Sequence, residues 1–302
     1  MREKTKNAGL IIGMVLSWSI YYAVSKVMVS LTGSAFLAGF FLRLTALVFL
    51  TLQLVADGNF KRLFAQRGKA LLLLIIIGVF GFLLDLFANL GYAGGSLSTG
   101  TALLKTDVLM VNIATVIIYK KKLYPSDWAG TLVMLFGVLL VLGVDFGSMS
   151  INFTDLFFIL SALCVSANAF IIKAAQEKYN EDADMISYYN NFVVLLLFAV
   201  SAGASGQMTA ETFMRPGSFW WLALLGGLAQ TGIYFFYYRN LKRHEVWVVK
   251  LYLLLMPVVS CFIGVAFLGE VLTAKKILGI FIVLCGAVLI LLRTRLNKEL
   301  RT

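Results

Sequence analysis

The chain has 302 residues, of which 60% are hydrophobic and 14% charged, and its mean hydropathy is +0.89. A water-soluble domain carries roughly 25% charged residues, so this composition excludes an ordinary soluble globule and requires lipid to cover the apolar excess. The net charge of +11 does not point to nucleic acid, because the basic residues fall in short clusters between apolar runs rather than along one face or tail.

Crossing a hydrocarbon core of roughly 30 Å takes about 20 helical residues, and apolar segments of that length recur along the whole chain. They predict ten spans: 8–29, 35–55, 70–91, 97–119, 128–144, 153–172, 185–204, 219–238, 246–268 and 274–292. Helix is expected rather than strand, because lipid offers no partner to an unpaired backbone group. The first run follows Arg2, Lys4 and Lys6 and is too long for a signal-peptide core, so it is expected to stay as a span. With the N-terminus cytoplasmic, 19 Lys and Arg fall in cytoplasmic segments and 3 (Arg215, Lys275, Lys276) outside. That bias expects both termini in the cytoplasm of a plasma membrane (the inner membrane of a Gram-negative cell).

An internal repeat follows. Leu123, Gly130 and Gly137 recur in register 149 positions on as Leu272, Gly279 and Gly286, and Gly78 falls on Gly227. Five spans per copy is an odd number, so the second copy lies upside down relative to the first. The expected fold is all-α and membrane-integral, ten helices in two inverted five-helix repeats, residues 1–147 and 148–302. Such repeats suit alternating access.

Phe267-Leu268-Gly269-Glu270-Val271-Leu272, followed by Gly279 and the stretch Val283 to Leu289, resembles the end of an EamA domain of the drug/metabolite transporter superfamily. Pro257, Ser17-Trp18-Ser19 and Leu42-Arg43 also resemble that pattern. Lys121 and Val108 depart from it, standing where the second copy has Glu270 and Pro257. The resemblance implies transport of small metabolites without naming the cargo.

A charge deep in a membrane costs several kcal/mol, which makes it a functional candidate. Arg43, Asp85, Lys105 and Asp107 qualify, at depths of about 9 to 15 Å by helical rise. Their role stays open between a polar substrate cavity, with Asp85 or Asp107 also binding a coupling proton, and internal pairing of Asp85 with Lys105 and of Arg43 with Asp107 or a backbone carbonyl. Lys105 and Asp107, two apart on a helix, are expected to face different ways. Neutral candidates for the lining are Trp18, Tyr21, Tyr22, Asn168, Tyr188, Asn190, Asn191, Gln230, Tyr234 and Tyr252, against the alternative of interface anchors and interhelical bonds.

Lys26 and Lys250, near span ends, are expected to snorkel to the headgroups. Pro257 stays open between a hinge and a static kink. Cys164, Cys261 and Cys285 read as small core residues, without metal-ligand spacing. His244 lies in a polar loop, and neither a Walker A motif, a zinc cluster nor a nucleophile elbow is present. These features expect no enzyme, no cofactor and no metal, and exclude ATP-driven pumping on this chain alone. The expected partners are a small-molecule solute and the lipid bilayer, with monomer and homodimer both open.

The reading is a secondary transporter of a small polar metabolite such as an amino acid or amine, working as an exporter. The alternatives are a nucleotide-sugar or phosphorylated-solute exchanger and, remotely, a membrane-embedded transferase.

Overall fold

A computed structural model describes residues 2–95, 97–120, 125–141, 153–269, 271, 273–275, 277–283 and 285–286. Lys121, Leu123, Glu270, Leu272 and the tail from residue 287, with the basic residues placed there, lie outside the described residues. Among the described residues the structure is helical, without strands.

The helices are α1 (Arg2–Thr32), α2 (Ala35–Ala56), α3 (Gly68–Gly94), α4 (Leu97–Leu103), α5 (Asp107–Tyr119), α6 (Pro125–Val141), α7 (Phe153–Lys178), α8 (Ala183–Ala204), the single turn α9 (Ala210–Phe213), α10 (Gly217–Arg243), α11 (Val246–Leu253) and α12 (Met256–Leu268). Among the described residues, seven stretches are long and apolar enough to cross a membrane: α1 from Asn7, α2, α3, α7, α8, α10, and α11 with α12. Their outward faces carry large apolar side chains, such as Leu52, Trp221 and Phe267, which are 61, 74 and 81% exposed. A surface of that kind is covered by lipid.

Of the other three expected spans, the first is interrupted: α4 gives way to a 3-10 turn at Leu104–Thr106 before α5 resumes the path. The second, α6, has 17 residues. The last is helical at 274–275, 277–283 and 285–286, as far as it is described.

Local chemistry sets the ends. The Ser34 hydroxyl accepts from the backbone N–H groups of Phe36 and Leu37 at 3.2 Å, capping α2. At its other end Gly58 takes a left-handed φ of 68° and Asn59 N–H donates to the Leu54 carbonyl at 2.9 Å, a Schellman turn. The end of α8 repeats it, with Gly206 at 68° and Gln207 N–H on Ala202 at 2.9 Å.

Element bounds recur at the 149-residue offset. Helix α3 maps end to end on α10, and α5 on α12, each of 13 residues. The 3-10 interruption maps on the turn at Leu254–Leu255 between α11 and α12. Left-handed Lys120 (φ 50°), which ends α5, maps on left-handed Gly269 (φ 68°), which ends α12. Pro257 therefore neither kinks nor hinges a continuous helix. It is the second residue of a new one, where a missing N–H costs nothing. The first copy breaks at the same register with Val108 in that place, so proline is not what makes the break.

Packing joins the copies to one another. Helix α2 lies against α8 and α10, α3 against α7 and α8, and α1 against α10. Glycine makes two of these approaches close: a Cβ on Gly227 of α10 would sit 2.6 Å from the backbone nitrogen of Ala46 on α2, and one on Gly78 of α3 would overlap Val193 of α8. Cys164 and Cys261 are buried, whereas Cys285 is exposed on the outer face and is not a core residue.

Candidate functional site

Among the described residues, the middle of the bundle holds two buried ion pairs. Arg43 of α2 meets Asp85 of α3, with Nε 2.8 Å and Nη2 2.5 Å from the same Oδ2. The Tyr21 hydroxyl of α1 donates to that oxygen at 2.6 Å. On the other side the Arg43 guanidinium donates to the Tyr234 hydroxyl and lies 5.7 Å from the centroid of each tyrosine ring, Tyr21 and Tyr234. Asn191 of α8 accepts from Arg43 Nη1 at 3.4 Å and returns its amide to the Arg43 carbonyl at 2.9 Å. Arg43 and Asp85 are 3 and 2% exposed, so this charge is held by protein groups and not by water.

In the second pair, Lys250 of α11 donates to Asp107 Oδ2 at 2.8 Å, with its ammonium 5.6 Å from the Tyr237 ring centroid. Asp107 opens α5 directly after the 3-10 turn that carries Lys105. Lys105 is 4% exposed and makes no ion pair or hydrogen bond among the described residues. Asp107 Oδ1 is buried and has no hydrogen-bond partner among the described residues.

Two cavities lie at these pairs. One, of about 30 Å³, is bordered by Arg43, Asn168, Asn190, Gln230, Tyr234, Tyr237 and Tyr238. The other, of about 10 Å³, is bordered by Tyr22, Leu104, Lys105, Asp107, Lys250 and Leu253. Trp18 and Val165 border both, so they form the partition. The indole packs on Tyr22 and edge-on to Tyr237, at 5.3 and 6.0 Å. Volumes of this size hold a water or two and not a metabolite, so the chamber is closed in this conformation. A third cavity, of about 210 Å³, lies among the ends of α5, α7, α10 and α11, bordered by Thr115, Lys173, Glu177, Arg243 and Trp247.

The structure thus gathers Trp18, Tyr21, Tyr22, Arg43, Asp85, Lys105, Asp107, Asn168, Asn191, Gln230 and Tyr234 in one central region. Tyr188 and Tyr252 pack at the edge of the same core but border neither cavity. Tyr188 packs on the cluster of Leu54, Leu63 and Met185, and half-buried Tyr252 faces His244 at 6.2 Å.

Several expectations are corrected. The ion pairs are Arg43 with Asp85 and Lys250 with Asp107, not Asp85 with Lys105 or Arg43 with Asp107. Lys105 and Asp107 border the same cavity, because the 3-10 turn replaces the regular helix whose geometry would separate them. Lys250 does not snorkel: its residue is 0% exposed, since it lies on the inward stripe with Val246, Val249 and Leu253. Buried charge is therefore not confined to the first copy. Sequence reasoning also passed over Asn89, one turn beyond Asp85 on α3, which accepts from Ser25 at 2.5 Å and donates to the Ala35 carbonyl at 3.1 Å. Its i+4 spacing from Asp85 was the available signal.

A model of the EamA-like transporter family matches residues 6–143 and again residues 152–292. The chain belongs to the EamA-like transporter family. A Sinorhizobium protein named as an uncharacterized transporter in the cobO 3′ region is 30% identical over 132 residues, covering 44% of this chain and 92% of its own length. A solved crystal structure, described only as that of a protein, superposes with a TM-score of 0.75 at 16% identity, covering 96% of this chain and 99% of the other. That likeness concerns the fold. Membership of the EamA-like family makes the chain a multi-pass membrane protein and points to a transporter of the drug/metabolite superfamily rather than an enzyme.

Proposed function

We propose that this EamA-like protein is a secondary transporter that moves a small polar metabolite, such as an amino acid or amine, across the plasma membrane by alternating access, as an exporter. The observation that carries the reading is the pair of closed polar cavities between two buried ion pairs, lined by helices from both stretches that match the family. Ion pairs sealed from water on every side are costly to build, and a protein that only needed stability would fill the space with apolar side chains. Asp85 and Asp107 are the candidates for a coupling proton.

Ten spans in two inverted copies fit this reading. Its support is the recurrence of element bounds at the 149-residue offset, the two matches of the family model, and a relative whose length fits in under half of this chain. The copies 1–147 and 148–302 would then exchange conformations between inward-open and outward-open states. The bias of the basic residues supports both termini in the cytoplasm, and on that reading the 210 Å³ cavity opens inward.

The test is reconstitution into liposomes with a panel of labelled amino acids, amines, nucleotides and nucleotide sugars. Uptake of an amino acid or amine under a solute gradient is expected, together with efflux of the same solute from loaded cells. An intact, monodisperse protein that moves nothing in the panel would refute it, and uptake confined to nucleotide sugars would select the exchanger reading instead. Product formed in detergent, where no gradient exists, would indicate an enzyme.

A further inference from the structure

The cavity at the helix interruption presents an ammonium without a hydrogen bond, Lys105, beside an ion-paired carboxylate, Asp107, that keeps one oxygen unbonded. Lys105, nine-tenths and more buried, has no ion pair or hydrogen bond among the described residues, although it borders the cavity together with Asp107. Asp107 spends Oδ2 on Lys250 and leaves Oδ1 without a partner in the interior. The Trp18 indole N–H, in the partition, is also unpartnered. An unmet buried charge is costly, and a protein keeps one where a ligand will meet it. Asp107 stands at the N-terminus of the 13-residue helix α5, whose dipole favours an anion near that end.

From this arrangement we propose that the smaller cavity is the headgroup subsite for an α-amino acid. The ligand's carboxylate is received by the Lys105 ammonium and the Trp18 indole N–H, and its ammonium by Asp107 Oδ1. The proposal rests on the transporter reading above and narrows it: both charged ends are read, so neither the decarboxylated amine nor the deaminated acid is a good ligand. The side chain then points past Trp18 into the neighbouring cavity. That cavity is formally neutral, because Arg43 is matched by Asp85, and offers the amides Asn168 and Gln230 and the hydroxyl of Tyr234. An uncharged amino acid side chain suits it better than an acidic or basic one.

The experiment is a thermal-shift and tryptophan-fluorescence titration of the purified full chain. The twenty L-amino acids are screened first, at constant ionic strength, and the strongest is then compared with its own amine and its own deaminated acid. Loss of either end is expected to weaken binding roughly 10- to 100-fold, the worth of one charged hydrogen bond. In Lys105→Met the amino acid should bind no better than its amine does, because the group that reads the carboxylate is gone, and Lys105→Arg should restore part of the difference. Without ligand, Lys105→Met should be at least as stable as the parent, since it removes an unmatched buried cation. Equal binding of the amine and the amino acid by the parent, an undiminished carboxylate preference in Lys105→Met, or unfolding of that variant would overturn the subsite. Failure of every amino acid to bind would do the same, while amines still moving in liposomes would leave the transporter reading standing. Binding that follows these rules without any transport would have the opposite meaning.

Discussion

Arg43 serves Asp85, Tyr234 and Asn191 at once, and Asp85 receives Arg43 and Tyr21 on a single oxygen. Removing one partner leaves the other charged in a dry interior. Arg43→Ala is expected to lower stability by about 3–5 kcal/mol, measurable as an earlier unfolding transition in detergent. Replacing both, Arg43→Met with Asp85→Leu, should recover most of that loss while still abolishing transport, which separates the structural from the functional worth of the pair. Lys250 makes a parallel case. Lys250→Ala should destabilise by a similar amount, about 3 kcal/mol or more, whereas Lys242→Ala, at an exposed position at the end of α10, should change stability by less than about 0.5 kcal/mol. The residue scale is where sequence reasoning reached least far. Depth along a span can be counted from the sequence, but the direction of a side chain depends on which face is inward, and for Lys250 only the Val246, Val249, Leu253 stripe carries that information.

The elements themselves were readable where they are continuous. α2 and α8 begin and end within two residues of expectation, because an apolar run bounded by Ser34 and Asp57, or by Asp182 and Ser205, leaves little choice. The interruptions in the spans at 97–119 and 246–268 go unread in the sequence: no glycine marks either break, the polar run Lys105-Thr106-Asp107 reads only as a site, and Pro257 only as a hinge or kink. They arise from tertiary packing: Val108 of α5 meets Leu251, Leu254 and Val258 in one buried cluster, so the two broken segments cross each other. The glycine contacts belong to the same scale. Gly227→Val would drive a branched side chain into the backbone of α2 at Ala46, and Gly78→Val would collide with Val193. Each should cost about 1–3 kcal/mol or more by overpacking. Gly203→Ala on α8, with nothing within 4 Å of the new Cβ, should be neutral or gain up to about 1 kcal/mol. Thermal unfolding of the three variants side by side checks the contrast.

At the scale of the molecule, the recurrence of element bounds was legible in the glycine framework, and the basic clusters carry an expected orientation. The central site was half legible: the buried charges could be found, but their pairing could not, because Asp107 meets Lys250 across the two copies and Arg43 meets Asp85 only through the way the faces of α2 and α3 are turned. Orientation is tested by fusions. A C-terminal fluorescent protein should be bright in the cytoplasm, and a C-terminal alkaline phosphatase should be inactive; the reverse pattern would invert the topology. Joint folding is tested by co-expressing residues 1–147 and 148–302 as separate chains. They are expected to co-purify, and either one alone is expected to be degraded.

The glycine contacts bear on synthesis as well as on structure. Because α2 seats on α8 and α10, and α3 on α7 and α8, the first helices to leave the ribosome lack their most extensive final neighbours when they enter the bilayer. Until α8 and α10 arrive, the notches at Gly78 and Gly227 stand unfilled and Asn191 and Tyr234 are not yet there to complete the shell around Arg43. Translation past about residue 243, where α10 ends, is therefore the moment at which the early helices become committed. A ribosome stalled before that point would present the membrane's quality-control proteases with an exposed, half-satisfied arginine, a chemical tag of incompleteness that the finished protein conceals.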